Sequence, residues 1–259
     1  MAAKATVEFL SRESLPSLAY VRTLGSKSPG IIYVPGYMAG LGGTKAQLLQ
    51  PFISGLGHSF IRYDPTGLYE SQDKAAPVQL SFRQWLDDLL LVIDSISEGP
   101  QVLVGSSMGA WLSVLAAEAR PERIVGLLLI APAPDFLRSF LYDSRLTETQ
   151  KLRLDQNQSL SEAEAGFFLT RRILDESIPL EVLSREGELK LKCPVVLVRS
   201  LGDWLPLSLA LELMEKLAAG GVEAEMRLLS GGSHSMNSDR EMDAIRTALL
   251  QLIAKSAES

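Results

Sequence analysis

Sulfur and imidazole are scarce in this chain: 259 residues contain one cysteine, Cys193, and two histidines, His58 and His234. A single cysteine excludes an intramolecular disulfide, and so few Cys and His side chains cannot complete a four-ligand zinc site of those types alone. A reducing compartment without a structural metal is expected. Basic residues are also outnumbered, 25 Lys plus Arg against 31 Asp plus Glu, for a net charge of −6 with no basic block. That balance argues against nucleic acid or an anionic membrane surface as a partner. Long apolar runs are missing. The longest, Ile124 to Pro134, has 11 residues including two prolines, where a membrane span needs about 18 or more, so the chain is expected to be soluble. The first residues have neither the Arg-rich amphipathic character of a transit peptide nor the apolar stretch of a secretory signal, and any such leader is expected to be absent or already removed. No internal repeat or low-complexity linker is found. What is present is ordinary globular composition, 46% hydrophobic and 22% charged, in a chain long enough to bury one large core.

Strand-like and helical patterns alternate along it. A short strand at Leu18–Thr23 precedes an apolar run, Ile31 to Val34, which ends at Pro35-Gly36 and leads through a glycine-rich loop into a helical pattern from Thr44 to Leu56. The order repeats with Ser59–Tyr63 and a helix whose apolar face is 82, 85, 86, 89, 90, 93 and 96, and again with Val102–Val104 and a helix from Met108 to about Glu118. A further run, Ile124 to Ile130, closes this half. Continuous Val/Ile/Leu strands alternating with helices predict a mostly parallel sheet covered on both faces. From about 132 to 192 the pattern breaks into short, charged, helical pieces. It then resumes with Pro194–Val198, a helix at Leu207–Ala218, a strand at Ala224–Leu229 and a last helix with apolar positions 242, 245, 249, 252 and 253. Residues 1–259 therefore read as a single α/β domain carrying a lid insertion at about 132–192.

Gly105-Ser106-Ser107-Met108-Gly109 is the one G-x-S-x-G in the chain, directly after an apolar strand and opening a helix. That is the setting of a nucleophile elbow, which exposes the central hydroxyl, here Ser107, at the carboxyl edge of the sheet and turns Ser106 elsewhere. A serine needs a base to take its proton. His58 opens a strand at the amino edge, away from the edge where ligands bind. His234, in Gly231-Gly232-Ser233-His234-Ser235, follows the last strand and shares the edge with Ser107. The acid that orients the imidazole should come from a strand end between them. Asp203, after the strand at 194–198, is the first choice, and Asp135, in Ala131-Pro132-Ala133-Pro134-Asp135, is the alternative. The N–H groups of Met108 and Tyr37 are the candidate oxyanion donors. The glycines at 36, 40, 42 and 43 do not form a phosphate loop, because Thr44 separates Gly43 from Lys45 and no G-K-[ST] is present. Serine at the elbow excludes the aspartate-nucleophile chemistries of this architecture, and no cofactor or metal is called for. Large apolar lid residues, Phe136, Phe140, Leu141, Phe167, Phe168 and Leu169, are candidate walls for an acyl chain.

The stretches Gly30–Tyr37, Leu56–Asp64, Gly99–Trp111, Ala119–Val125 and Cys193-Pro194 resemble the α/β-hydrolase superfamily. Within it they resemble a branch of mitochondrial S-acyl-protein thioesterases that also cleave acyl glucuronides, together with bacterial esterase relatives. The resemblance implies an α/β-hydrolase fold, with Ser107, His234 and an acid near Asp203 as its site, and small acyl esters, thioesters or S-acylated proteins as substrates. It also implies a mitochondrial location; the residues alone would place the chain in the cytoplasm. Its oligomeric state is left open, a monomer being compatible. At the histidine the branch typically has Asp before and Arg after, where this chain has Ser233 and Ser235. The reading from another class is a non-catalytic α/β-hydrolase fold serving as a binding module or receptor.

Overall fold

The structure, a computed structural model, describes residues 6–256; residues 1–5, where a leader would be sought, lie outside the described residues. One sheet contains β1 (Glu8–Leu10), β2 (Leu18–Thr23), β3 (Lys27–Val34), β4 (His58–Tyr63), β5 (Gln101–Ser106), β6 (Ile124–Ile130), β7 (Val195–Ser200) and β8 (Ala224–Leu229) in the order β1-β2-β4-β3-β5-β6-β7-β8. From β4 to β8 every neighbour is parallel, while β1 and β2 enter antiparallel. Strand β1 escapes the sequence pattern because its three residues are at most half-buried and carry no apolar run.

Alternate residues of the central strands divide the core in two. Leu103, Leu127, Leu129, Val195 and Leu197 face one side, which is covered by α2 (Phe82–Leu91), α3 (Met108–Ala119) and, later in the chain, α7 (Ser208–Ala219). Val102, Val104, Leu128, Ile130, Val196 and Val198 face the other, covered by α1 (Thr44–Leu56) and α8 (Asp239–Ser256). Strands apolar on both faces read as continuous runs because neither face meets water. Helix α2 does not extend to residue 96 as an α-helix; its last turn, Val92–Ile96, is π-helical and buries Val92, Ile93 and Ile96.

The insertion comprises a π-helical segment (137–145), α4 (Glu148–Asp155), α5 (Glu162–Ala165), α6 (Arg171–Ser177) and a 3-10 turn at 178–180. Leu137, Leu141, Leu154, Leu160, Leu169 and Ile173 join the same apolar cluster as α2 and α3, so the insertion shares the core of the sheet it covers. Its return is anchored by polar contacts. The Trp111 indole N–H donates to the Leu180 carbonyl at 2.8 Å, and the Asp135 carboxylate accepts the amides of Val182, Leu183 and Ser184 at 2.8, 2.7 and 3.1 Å. Among the described residues no helix is long and apolar enough to cross a membrane.

Candidate active site

Ser107 stands between β5 and α3 with φ 56° and ψ −117°, a backbone conformation costly for a residue with a Cβ and held only where the surroundings enforce it. Three main-chain bonds do so here: the Ser107 N–H donates to the Ile130 carbonyl of β6 at 2.8 Å, and its own carbonyl accepts the N–H groups of Ala110 at 3.0 Å and Ala133 at 3.3 Å. The glycines of the motif supply the room. A Cβ on Gly105 would lie 2.4 Å from the Gly109 carbonyl, and one on Gly109 would lie 2.2 Å from the carbonyl of Val34 at the end of β3. Ser106 lies beside the buried Tyr33 hydroxyl, whose pKa burial pushes up to about 12, and it is Ser107 whose hydroxyl meets His234.

The loops after β7 and β8 bring two side chains to this hydroxyl. His234 Nε2 lies 2.9 Å from Ser107 Oγ, and Nδ1 lies 2.9 Å from each Asp203 carboxylate oxygen. A carboxylate only accepts, so Nδ1 carries the proton and Nε2 is left free to accept from the serine. The Asp203 side chain is fully buried and that of His234 is 21% exposed. Asp203 Oδ1 also accepts the Leu205 amide at 2.9 Å, and the buried guanidinium of Arg199 lies 3.7 Å from Oδ2. Desolvation lowers the Arg199 pKa against the pull of Asp203, and a second bond, to the Leu205 carbonyl, holds the guanidinium behind the acid.

Both ring nitrogens of His234 are thus taken, by Ser107 and Asp203, while the carboxylate of Asp135, the alternative acid, accepts three amides of the insertion. Burial raises the Asp135 pKa against those three bonds. His58 lies at the amino end of β4, buried, with Nδ1 2.8 Å from the Pro29 carbonyl, a structural bond. Of the two proposed oxyanion donors, Met108 is the buried first residue of α3 and Tyr37 lines the cavity beside Ser107. The chain before Tyr37 runs along the elbow, since a Cβ on Gly36 would come 3.3 Å from the Ser107 Cβ.

The cavity over Ser107 has a volume of about 430 Å³. Met38, Phe136, Phe167, Phe168, Trp204 and Leu205 form its apolar walls, with Lys45, Glu162, Ser235 and Asn237 among its polar groups. Of the lid residues expected there, Phe136, Phe167 and Phe168 line it, whereas Leu141 and Leu169 are spent in the core. Phe140 instead packs on Trp204 at 5.6 Å. Trp204, 47% exposed, is a residue the sequence reading passed over. Its ring lies 5.3 Å from that of His234 and 5.4 Å from Phe167, so it screens the imidazole and meets the lid. The Tyr37 hydroxyl donates to the Phe168 carbonyl at 2.5 Å, a second tie between the sheet edge and the lid. Lys45, also unanticipated, donates to the Ser235 carbonyl at 2.6 Å, with its pKa lowered by burial. Among the described residues no group of His, Cys, Asp and Glu is gathered as a metal site.

A mostly parallel eight-stranded sheet with a serine elbow at its carboxyl edge and a helical insertion lining the cavity there defines a hydrolase of the α/β-hydrolase fold. Residues 33–152 match the family described as serine aminopeptidase, S33. The palmitoyl-protein thioesterase ABHD10 of mouse mitochondria is 34% identical over 257 residues, covering 97% of this chain and 84% of the mouse protein; the rat protein is 32% identical over 262 residues with the same coverage. The solved structure of mouse α/β-hydrolase domain-containing protein 10 superposes with a TM-score of 0.85 at 31% identity, covering 97% of this chain and 99% of that one. The chain belongs to the ABHD10 family of α/β-hydrolases.

Proposed function

We propose that the chain cleaves acyl esters or thioesters through an acyl-enzyme on Ser107. The observation that carries this reading is the line of 2.9 Å contacts from Ser107 Oγ through His234 to Asp203. His234 Nε2 takes the serine proton as Oγ attacks the acyl carbon. Asp203 fixes the Nδ1–H tautomer and stabilises the imidazolium, and the Met108 and Tyr37 amides receive the oxyanion. The imidazolium then returns its proton to the departing alcohol or thiol. A water deprotonated by His234 attacks the acyl-enzyme, releasing the carboxylic acid and restoring the serine. In this reading the described residues serve the site as one domain, with the insertion at about 132–192 as its lid.

The walls formed by Phe136, Phe167 and Phe168 favour an acyl chain longer than acetyl, because burying each CH₂ is worth about 0.8 kcal/mol. The thioesterase name of the relatives supports S-acylated proteins as substrates, with acyl glucuronides as the oxygen-ester counterpart, and the same relatives support a mitochondrial location. The test is kcat/KM for esters and thioesters from two to sixteen carbons. It should rise with length, roughly tenfold for each 1.4 kcal/mol of added transition-state binding. A profile that is flat or falls from acetyl onward removes the acyl-wall reading. Fluorophosphonate capture at Ser107 distinguishes a hydrolase from a binding module, which would leave the serine unlabelled.

A further inference from the structure

The loop carrying His234 is gripped on both flanks by side chains of opposite charge. On one side Lys45, from the first turn of α1, holds the Ser235 carbonyl at 2.6 Å. On the other Glu241, in the first turn of α8 and 3% exposed, takes four donors. Its Oε1 accepts the Ser200 hydroxyl at 2.6 Å and the Ser233 amide at 3.0 Å, and its Oε2 accepts the Ser238 amide at 3.0 Å and the Ser238 hydroxyl at 2.7 Å.

The Oε2 half is an ordinary helix-capping arrangement, Ser238 and Glu241 being spaced as S-x-x-E. The Oε1 half is not explained by capping. Ser200 closes β7, three residues before Asp203, and Ser233 immediately precedes His234. One carboxylate oxygen therefore ties the strand that presents the acid to the loop that presents the imidazole. Gly232 makes the approach feasible: its φ is 77°, and a Cβ there would lie 2.3 Å from Glu241 Oε1 and 2.4 Å from Ser200 Oγ. Burial alone would raise the Glu241 pKa, but the serine hydroxyls and amides reverse this and hold it at about 2, which keeps the group an acceptor for all four donors at neutral pH.

We infer that Glu241 is a positioning residue for the hydrolysis: through Ser200 and Ser233 it holds His234 in line with Ser107 and Asp203. The inference rests on the reading of His234 as the base. The grip is on the main-chain N–H of Ser233 and the main-chain carbonyl of Ser235, so neither contact needs a particular side chain.

The test compares full-length variants by kcat and KM for an acyl ester, by the rate of fluorophosphonate capture at Ser107, and by thermal midpoint. Misplacing a reacting group by about 1 Å costs on the order of a hundredfold, so Glu241→Ala should lower kcat and the capture rate by about that factor. KM should stay within about threefold, since Glu241 does not line the cavity. Glu241→Gln keeps one oxygen acceptor and should recover part of the loss. Ser200→Ala should lower kcat, whereas Ser238→Ala, which removes a hydroxyl that donates to Oε2 and caps the helix by accepting the Glu241 N–H, should lower the thermal midpoint and leave kcat within about threefold. A folded Glu241→Ala with wild-type kcat overturns the inference, as does a Ser238→Ala loss equal to that of Ser200→Ala. If Glu241→Ala does not fold, the Ser200 and Ser238 pair decides. A His234→Ala enzyme that still turns over is a separate result, and it overturns the reading beneath the inference.

Discussion

Ser107 and His234 touch at 2.9 Å yet are held by unlike means. Around the serine almost everything is main chain and small residues: the β6 carbonyl of Ile130, the end of β3 against Gly109, and a helix whose first ten residues are all buried. Around the histidine the backbone leaves the sheet, exposure rises, and side chains take over: Asp203 and Arg199 from one loop and strand, Glu241 and Lys45 from two helices. Packing that surrounds a group on every side tolerates little but is specified locally. A loop held by a few distant carboxylates and amines can be re-tuned one bond at a time.

The largest break is at the serine itself. Ser107→Ala should lower kcat on the order of a millionfold with the thermal midpoint nearly unchanged, as loss of a nucleophile does in other triads. On the histidine side, Asp203→Asn should cost roughly 10⁴-fold in kcat through the wrong imidazole tautomer, measured on the same ester. Next comes acid stability. Because the folded pKa of Glu241 is about 2 against an ordinary value of 4.5, its contribution is complete above pH 4.5 and is lost as pH falls toward 2. Wild type minus Glu241→Gln should therefore show a stability difference that shrinks by up to about 3 kcal/mol over that interval, read by denaturant unfolding at each pH. Asp135→Asn leaves at least one lid amide without its acceptor and should lower stability by about 1–3 kcal/mol while sparing kcat relative to Asp203→Asn. If it instead matched Asp203→Asn in rate, lid anchoring and chemistry would be one function. The smallest effect belongs to Ser106→Ala: the Ser106 hydroxyl lies beside Tyr33 and makes no hydrogen bond to His234, so the variant should keep most of the activity.

The same contrast governs what could be read from the amino acids. The elbow is a local object, strand, turn and helix within a few turns of chain, so the place of Ser107 between β5 and α3 was legible. The parallel centre of the sheet was legible from runs apolar on both faces, whereas β1 and the antiparallel entry of β2 were not, since pairing direction leaves no mark in three half-buried residues. His234 and its two candidate acids followed from chain order. Choosing between Asp203 and Asp135 did not, because both follow neighbouring strands, β7 and β6, at the same edge. The choice turns on which carboxylate the lid amides claim, a contact spanning 47 to 49 residues. Trp204 adjoined the acid and Glu241 lay in an S-x-x-E pattern, so both had a local signal; Lys45 and Arg199 had none, as their roles exist only once α1 and β7 are in place.

The sequence separations inside the site carry a temporal consequence. Asp203 and His234 are 31 residues apart, but His234 and Ser107 are 127 apart. The base proposed for Ser107 therefore reaches it only when β7, β8 and the first turn of α8 have joined the sheet, so the onset of fluorophosphonate capture during refolding serves as a clock for completion of the fold.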